Sequence, residues 1–262
     1  MAAIQTQEHW VTTDQGRLYA KAWIPGKASS AVRPPIVLLH DSLGCIELWR
    51  EFPDALCHAT GRQVIAYDRL GFGRSEVRAH LPSLDFVVEE SRDFFPQVCE
   101  QLGVDSFVVL GHSVGGSMAI QCAADHADQC EALVTLAAQV FPEDRTLAGI
   151  RRAQEHFRAQ EQMERLARYQ GYKAQWVLDA WIKNWLHPDF SGWSLLDVLP
   201  RVRCPVLAIH GDKDEYGSRR HPELIGQYSS GVARVEILPG VGHVPQREQP
   251  QTVLELVSVL LR

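Results

Sequence analysis

Short apolar runs alternate with helical patterns along most of this chain, and this alternation restricts its possible folds more than any other feature. The runs are IVLLH from residue 36, QVIAYD from 63, FVVLGH from 107, ALVTLAA from 132, PVLAIHG from 205 and VEILPG from 235. Runs of this length are typical of strands buried on both faces. Helical patterns over 47–60, 85–102 and 114–127 separate the earlier runs. Strands alternating with helices predict a parallel sheet covered on both faces.

The start of the chain has a different pattern. Residues 8–24 read as two strands, HWV and LYAKAWI, with TTDQGR turning between them. A short polar turn between two strand-forming stretches is typical of a β-hairpin. We therefore predict an antiparallel pair at one edge of the sheet.

The alternation stops between residues 141 and 198, where helical patterns occur without a convincing strand. We interpret this stretch as a helical cap inserted into the core domain. The expected organisation is a core formed by residues 1–140 and 199–262, with 141–198 as the cap.

Four of the seven tryptophans lie in this insertion. Trp181 and Trp185 follow Val177 at intervals of four residues, which places the three on one helical face. Such tryptophans often pack small helices against a core. Because ligand pockets are commonly walled by aromatic side chains, Trp181 and Trp185 are also candidates for lining a substrate pocket.

Composition and charge exclude several classes of protein. Of the 262 residues 45% are hydrophobic, which is typical of a globular protein. The net charge is −6, so we expect no basic surface that would bind nucleic acid or an anionic membrane. No run of 18 apolar residues occurs, and MAAIQTQEHW does not resemble a secretory signal, so we expect a cytoplasmic protein without membrane association. The six cysteines form no C-x-x-C pair, and neither H-x-x-x-H nor H-E-x-x-H occurs, so we predict no metal and no cofactor. A homo-oligomer stays possible.

The sequence GHSVG, residues 111–115, places a serine where a buried strand ends and a helix begins. A sharp turn from strand to helix crowds the positions two before and two after its central residue, and Gly111 and Gly115 meet that need. The turn would present Ser113 at the carboxyl edge of the sheet, where ligands bind in such folds. Ser113 is therefore the predicted nucleophile.

A serine nucleophile needs a base and an orienting acid. The loop after the strand at 205 carries Asp212 and Asp214, and a glycine-rich loop after the last strand carries His243. We predict His243 as the base and Asp214 as the acid, with Asp212 as its rival. The order serine, acid, histidine is that of α/β-hydrolase triads.

Other acids and histidines are weaker candidates. Glu143 and Asp144 would serve only if the acid had moved to the strand at 132. His40 and His210 end strands and are expected to be structural, and His112 should point away from the site.

Five motifs together give the chain a clear resemblance to a known family. In order they are LLHDSLG from 38, YDRLGFGRS from 67, GHSVGG from 111, GDKD from 211 and GVGH from 240. The chain resembles a lidded member of the α/β-hydrolase superfamily, nearly end to end. This resemblance implies a mostly parallel eight-stranded sheet with helices on both faces and a helical lid, and it supports Asp214 and His243 in their predicted roles.

The resemblance also locates an oxyanion hole. Ser42 matches the position whose amide N–H would join that of Val114 at the developing negative charge. Relatives usually have glycine after the histidine, whereas Asp41 follows His40 here. We expect the Asp41 carboxylate to turn away from the cleft and to bind neighbouring backbone or a basic residue.

The function that the resemblance implies most directly is hydrolysis of a small carboxylic ester, lactone or thioester through an acyl-enzyme. Ser113 argues against the haloalkane dehalogenase and epoxide hydrolase branches, whose nucleophile is aspartate. Three alternatives stay open: a carbon–carbon hydrolase of the meta-cleavage type, a cofactor-free perhydrolase and a small-ligand receptor with vestigial hydrolysis. The first would need a basic residue for the substrate carboxylate, with these candidates: Arg74, Arg219, Arg220 and Arg247.

Overall fold

The computed structural model describes residues 3–26 and 33–262, in which eight strands form one sheet. Residues 1, 2 and 27–32, which belong to the predicted first core part, lie outside the described residues. The sheet order is β1-β2-β4-β3-β5-β6-β7-β8. The strands are β1 Gln5–Thr13, β2 Gly16–Ile24, β3 Ile36–Leu39, β4 Val64–Tyr67, β5 Phe107–His112, β6 Cys130–Leu136, β7 Val206–Gly211 and β8 Ala233–Leu238.

The pairing of the strands confirms the predicted sheet. The β1–β2 hairpin is antiparallel, and β2 also pairs antiparallel with β4. All other neighbours are parallel, so the sheet is mostly parallel with the hairpin at one edge.

Helices follow most strands. They are α1 Phe52–Thr60, α2 Phe86–Glu89, α3 Phe95–Gln101, α4 Val114–Asp125, α5 Asp144–His156, α6 Gln160–Gln170, α7 Ala174–Trp185, α8 Arg220–Tyr228, α9 Pro245–Glu248 and α10 Pro250–Leu260. None of the helices in the described ranges is both long and apolar enough to cross a bilayer.

The helix predicted over 85–102 runs without a break from Phe86 to Gln101, but it is not α-helical throughout. A π-helical turn, Glu90–Phe94, separates α2 from α3. Pro96 explains the interruption, because its nitrogen carries no hydrogen and cannot bond back along a regular α-helix. Similarly, the segment predicted over 47–60 begins as a 3-10 turn, Ile46–Trp49, before α1 starts.

The two faces of the sheet carry separate parts of the core. Along β3, Ile36 and Leu38 join the cluster that packs against α1 and α10, whereas Val37 and Leu39 join the cluster that contains α4. Successive strand side chains point to opposite faces, so continuous apolar strands fill both layers. The helices therefore cover both faces, as predicted.

Residues 141–198, which we call the cap segment, contain α5, α6 and α7 and no strand. Gln170, at the end of α6, ties this segment to the core. Its Oε1 accepts the N–H of Gly73 at 2.7 Å, and its Nε2 donates to the carbonyls of Leu43 at 2.9 Å and Gly44 at 3.0 Å. The cap segment thus binds the loop that follows β3.

Candidate active site

Ser113 occupies the turn between β5 and α4, with φ 56° and ψ −125°. A positive φ is uncommon for a residue with a side chain and persists only where the surrounding structure imposes it. A Cβ atom at Gly111 would lie 2.0 Å from the carbonyl oxygen of Gly115, and one at Gly115 would lie 2.1 Å from that of Leu39. Both positions therefore require glycine.

The structure brings Ser113, His243 and Asp214 together. The Ser113 Oγ lies 3.0 Å from Nε2 of His243, and Nδ1 of His243 lies 2.9 Å from both carboxylate oxygens of Asp214. Because an ionised carboxylate only accepts hydrogen bonds, Nδ1 carries the proton and Nε2 is free to accept the serine hydroxyl. This is the arrangement of a nucleophile, its base and an orienting acid.

Asp214 is almost fully buried, and its Oδ1 accepts the backbone N–H of Tyr216 at 2.7 Å and of Gly217 at 3.2 Å. Burial alone would raise the pKa of this carboxyl, but the hydrogen bond and charge of His243 outweigh burial and lower that pKa. Its rival, Asp212, is exposed and accepts the N–H of Gly240 at 2.7 Å. Asp212 therefore shapes a loop.

The pKa of His243 shifts in the opposite direction. Burial alone would lower the pKa of the imidazole, but the hydrogen bond and the charge of Asp214 raise it above its ordinary value. The charges of Glu215 and Asp41 act in the same direction. Asp214 therefore both fixes the tautomer and favours the protonated ring.

Ser42 and Val114 carry the two backbone amides that the sequence predicts for an oxyanion hole. Val114 is the first residue of α4, where a backbone N–H has no acceptor within the helix. Within residues 3–26 and 33–262, neither amide donates to another group, whereas the N–H of Ser113 is bound to the carbonyl of Leu136 at 2.8 Å. The two amides are thus the free donors beside the nucleophile, and both residues line cavity walls there.

The Asp41 carboxylate is bound to neighbouring backbone and to a basic residue. Its Oδ1 accepts the N–H of Leu43 at 2.9 Å, and its Oδ2 lies 3.3 Å from Nδ1 of His112. Burial would raise the pKa of this carboxyl, but the hydrogen bond and charge of His112 hold it well below its usual range. Asp41 nevertheless forms part of the wall of the site.

His112 connects two loops of the site; within the described residues neither of its ring nitrogens bonds to the Ser113 hydroxyl, although His112 lines the same cavity as Ser113. Its Nδ1 faces Asp41, and its Nε2 lies 2.8 Å from the carbonyl oxygen of His243. The ring therefore joins the loop that carries the Ser42 amide to the loop that carries the base. The sequence placed His112 beside the nucleophile but gave no signal for this connection.

The remaining candidates lie outside the triad. His40 binds the Asp41 carbonyl at 2.8 Å, and burial lowers the pKa of its ring to about 3. His210 faces the carbonyl of Gly217 at 3.1 Å. Glu143 binds the Ser218 hydroxyl at 2.9 Å, and Asp144 is exposed at the start of α5. Among the described residues no group of three or more His, Cys, Asp or Glu could hold a metal ion.

Ser113 and His243 line a cavity of about 150 Å³, which we call the main cavity. Trp181 and Trp185 of α7 line it, as do Thr146 and Ile150 of α5. Tyr216 also lines it, with its ring 4.8 Å from that of His243. Sequence reasoning missed Tyr216, although its position two residues after Asp214 was a usable signal. The walls are mostly apolar, which suits a small organic substrate.

Comparison with known families agrees with this architecture. The family model of the alpha/beta hydrolase fold matches residues 34–171, which is more than half of the chain. The chain belongs to the α/β-hydrolase family.

Individual relatives match shorter stretches. A human protein named 1-acylglycerol-3-phosphate O-acyltransferase ABHD5 is 35% identical over 120 residues, which are 44% of this chain and 33% of the human protein. Proline iminopeptidase of Lactobacillus delbrueckii subsp. lactis is 32% identical over 117 residues, 45% of this chain and 38% of the peptidase. The match thus spans 33% to 38% of the length of these curated relatives.

A solved structure matches over nearly the whole chain. It is 2-hydroxy-6-oxo-6-phenylhexa-2,4-dienoate hydrolase from Rhodococcus sp. strain RHA1, with a TM-score of 0.77 and 17% sequence identity. The match covers 99% of this chain and 100% of that enzyme. At this level of identity the two proteins share a fold.

Proposed function

We propose that this protein is a serine hydrolase that cleaves a small carboxylic ester, lactone or thioester through an acyl-enzyme. The observation that carries the proposal is the chain of contacts from Ser113 Oγ to His243 Nε2 at 3.0 Å and from His243 Nδ1 to Asp214 at 2.9 Å. Residues 141–198 serve as the lid of this site, over a core formed by 1–140 and 199–262. The cytoplasmic location stays a prediction from the sequence, which leaves the choice between a monomer and a homo-oligomer open.

The first half of the reaction forms the acyl-enzyme. His243 Nε2 takes the proton of Ser113 Oγ as that oxygen attacks the ester carbonyl carbon. The carbonyl oxygen becomes an oxyanion and accepts the N–H groups of Ser42 and Val114. His243 then gives the proton to the departing alcohol oxygen, and the carbon–oxygen bond breaks.

The second half releases the acid. His243 takes a proton from a water molecule, whose oxygen attacks the acyl carbon. The same two amides hold the second oxyanion, and His243 returns the proton to Ser113 Oγ as the acyl–serine bond breaks. Asp214 keeps the ring oriented and stabilises its charged form in both halves.

Hydrolysis of p-nitrophenyl esters of increasing acyl length tests this proposal. We expect turnover of short esters by the wild-type protein and a loss of about 10⁴-fold or more in kcat for Ser113→Ala, because the nucleophile is removed. Ser191→Ala, which changes an exposed serine of the cap segment, is the matched control and should keep full activity. Ester turnover that survives in Ser113→Ala would contradict the proposal.

The alternative functions predict other results in the same assay. A carbon–carbon hydrolase or a receptor would leave the whole ester panel unused. A perhydrolase would form peracid when hydrogen peroxide accompanies the ester. All of these functions would use the same serine. The choice of substrate, and not a covalent label on Ser113, therefore distinguishes them.

A further inference from the structure

Cys130 and Cys204 place two thiols in contact, away from the proposed site. Their Sγ atoms lie 3.6 Å apart, and the Cys130 thiol also donates to the carbonyl of Ala132 at 3.5 Å. Both side chains belong to the core cluster that contains α4, so they lie on the same face of the sheet. The other cysteines form no thiol–thiol hydrogen bond within residues 3–26 and 33–262: Cys45, Cys57, Cys99 and Cys122.

The pair lies at the edge of the sheet opposite the triad. Cys130 begins β6, and Cys204 lies two residues before the start of β7. These strands are parallel neighbours, and Leu133 of β6 pairs with Val206 of β7. Ser113 instead follows the carboxyl end of β5, which is parallel to β6. The two thiols are thus at the amino ends of their strands, and the triad is at the carboxyl ends.

The chain between the two cysteines contains the whole cap segment. Residues 131–203 include the rest of β6 and all of α5, α6 and α7. A covalent bond between two points closes the intervening chain into a loop, and a closed loop has fewer unfolded conformations than an open one. A bond between these two sulfurs would therefore hold both flanks of the cap segment on the core.

Burial and hydrogen bonding decide which thiol reacts first. Cys130 and Cys204 each keep 7% of their surface exposed, whereas Cys122 keeps none, so a small oxidant reaches the pair more easily. The hydrogen bond from Cys130 lowers the pKa of the Cys204 thiol, and the same bond raises the pKa of the Cys130 thiol. Because the thiolate is the reactive form of cysteine, Cys204 is the attacking thiol.

We propose that Cys130 and Cys204 form a site of reversible oxidation, which hydrogen peroxide converts into a disulfide that bridges the two flanks of the cap segment. The Cys204 thiolate attacks a peroxide oxygen and becomes a sulfenic acid, and hydroxide leaves. The Cys130 sulfur then attacks the sulfenic sulfur, and a second hydroxide leaves as the sulfur–sulfur bond forms. The two hydroxides take up the two thiol protons, so that two thiols are oxidised and one peroxide is reduced to two water molecules.

Thiol counting on the folded protein tests the proposal. After treatment with a small excess of hydrogen peroxide, the protein is denatured, its free thiols are alkylated, and the adducts are counted by intact-protein mass spectrometry. We expect two fewer alkylated thiols than the six of the reduced chain, and peptide mapping should locate the link between Cys130 and Cys204. Dithiothreitol added before alkylation should restore all six. Retention of six free thiols, or oxygen added to these sulfurs without a link, would overturn the proposal.

Serine variants locate the reaction. Cys130→Ser and Cys204→Ser keep a side chain of similar size and should form no disulfide. In Cys130→Ser a sulfenic acid on Cys204 should accumulate, and dimedone would trap it. Cys99→Ser is the matched control, because Cys99 has no thiol partner among the described residues, and this variant should form the disulfide as the wild-type protein does. A disulfide that still forms in Cys204→Ser, or that is lost in Cys99→Ser, would contradict the assignment.

Thermal unfolding tests whether the bond restrains the chain. We expect the oxidised wild-type protein to unfold at a Tm about 5 to 15 °C above that of the reduced protein, because a disulfide across a long loop stabilises the folded state. Cys204→Ser should have the same Tm with and without peroxide. An unchanged or lower Tm of the oxidised wild-type protein would contradict this restraint. Neither thiol counting nor thermal unfolding requires turnover, so both results are independent of the proposed function.

Discussion

At the scale of single residues, two opposing effects act on the pKa of the His243 imidazole. Burial disfavours its charged form, and the adjacent Asp214 carboxylate favours that form more strongly, so the pKa of the imidazole rises. A base with a raised pKa accepts the serine proton more readily. As the pH falls, however, such a base is protonated by solvent at a higher pH than an ordinary imidazole, and it then cannot accept the serine proton. The acid side of the activity profile therefore reports on the contact between these two residues.

The proposed base makes a prediction about pH. His243 must be neutral to accept the Ser113 proton, so kcat/KM should fall as the pH drops through a pKa above the ordinary value of 6.5. In Asp214→Asn this acid limb should move to lower pH, and kcat should drop by about 10⁴-fold because the tautomer is no longer fixed. Asp212→Asn is the matched control and should change neither. A flat profile between about pH 5 and pH 8 would contradict the assignment of His243.

At the scale of elements, the cap segment and the loop after β3 form one unit. Gln170 binds the carbonyls of Leu43 and Gly44, which directly follow the Ser42 amide in the chain. The end of α6 therefore holds the donor that the oxyanion would use. The sequence identified each of these elements but not the glutamine that joins them.

This contact predicts an effect on the chemical step. Gln170→Ala removes three hydrogen bonds and frees the loop that carries Ser42, so we expect kcat on a short ester to fall about tenfold, a loss typical of small misplacements of catalytic groups. Gln175→Ala is the control, because Gln175 is exposed on α7 and its side chain bonds, among the residues that the structure describes, only to Asp179. Equal kcat values for the two variants would show that Gln170 does not position the loop.

At the scale of the whole molecule, the sequence predicted the sheet and the triad residues because both depend on local signals. Buried strands read as apolar runs, and the turn at Ser113 requires glycine at two fixed positions. Contacts between residues that are distant in the sequence but close in space could not be predicted from the sequence. Arg69 looked like part of a loop motif, and only the folded structure shows that its guanidinium donates to the Asp41 carbonyl.

The central claim is that Ser113 is an activated nucleophile, and intact-protein mass spectrometry after reaction with a fluorophosphonate tests it most directly. We predict one covalent adduct per chain, located by peptide mapping to the residue Ser113 and absent in Ser113→Ala. His243→Ala should form the same adduct far more slowly, because the base is missing. No adduct on the folded wild-type protein, or an adduct that persists in Ser113→Ala, would contradict the account.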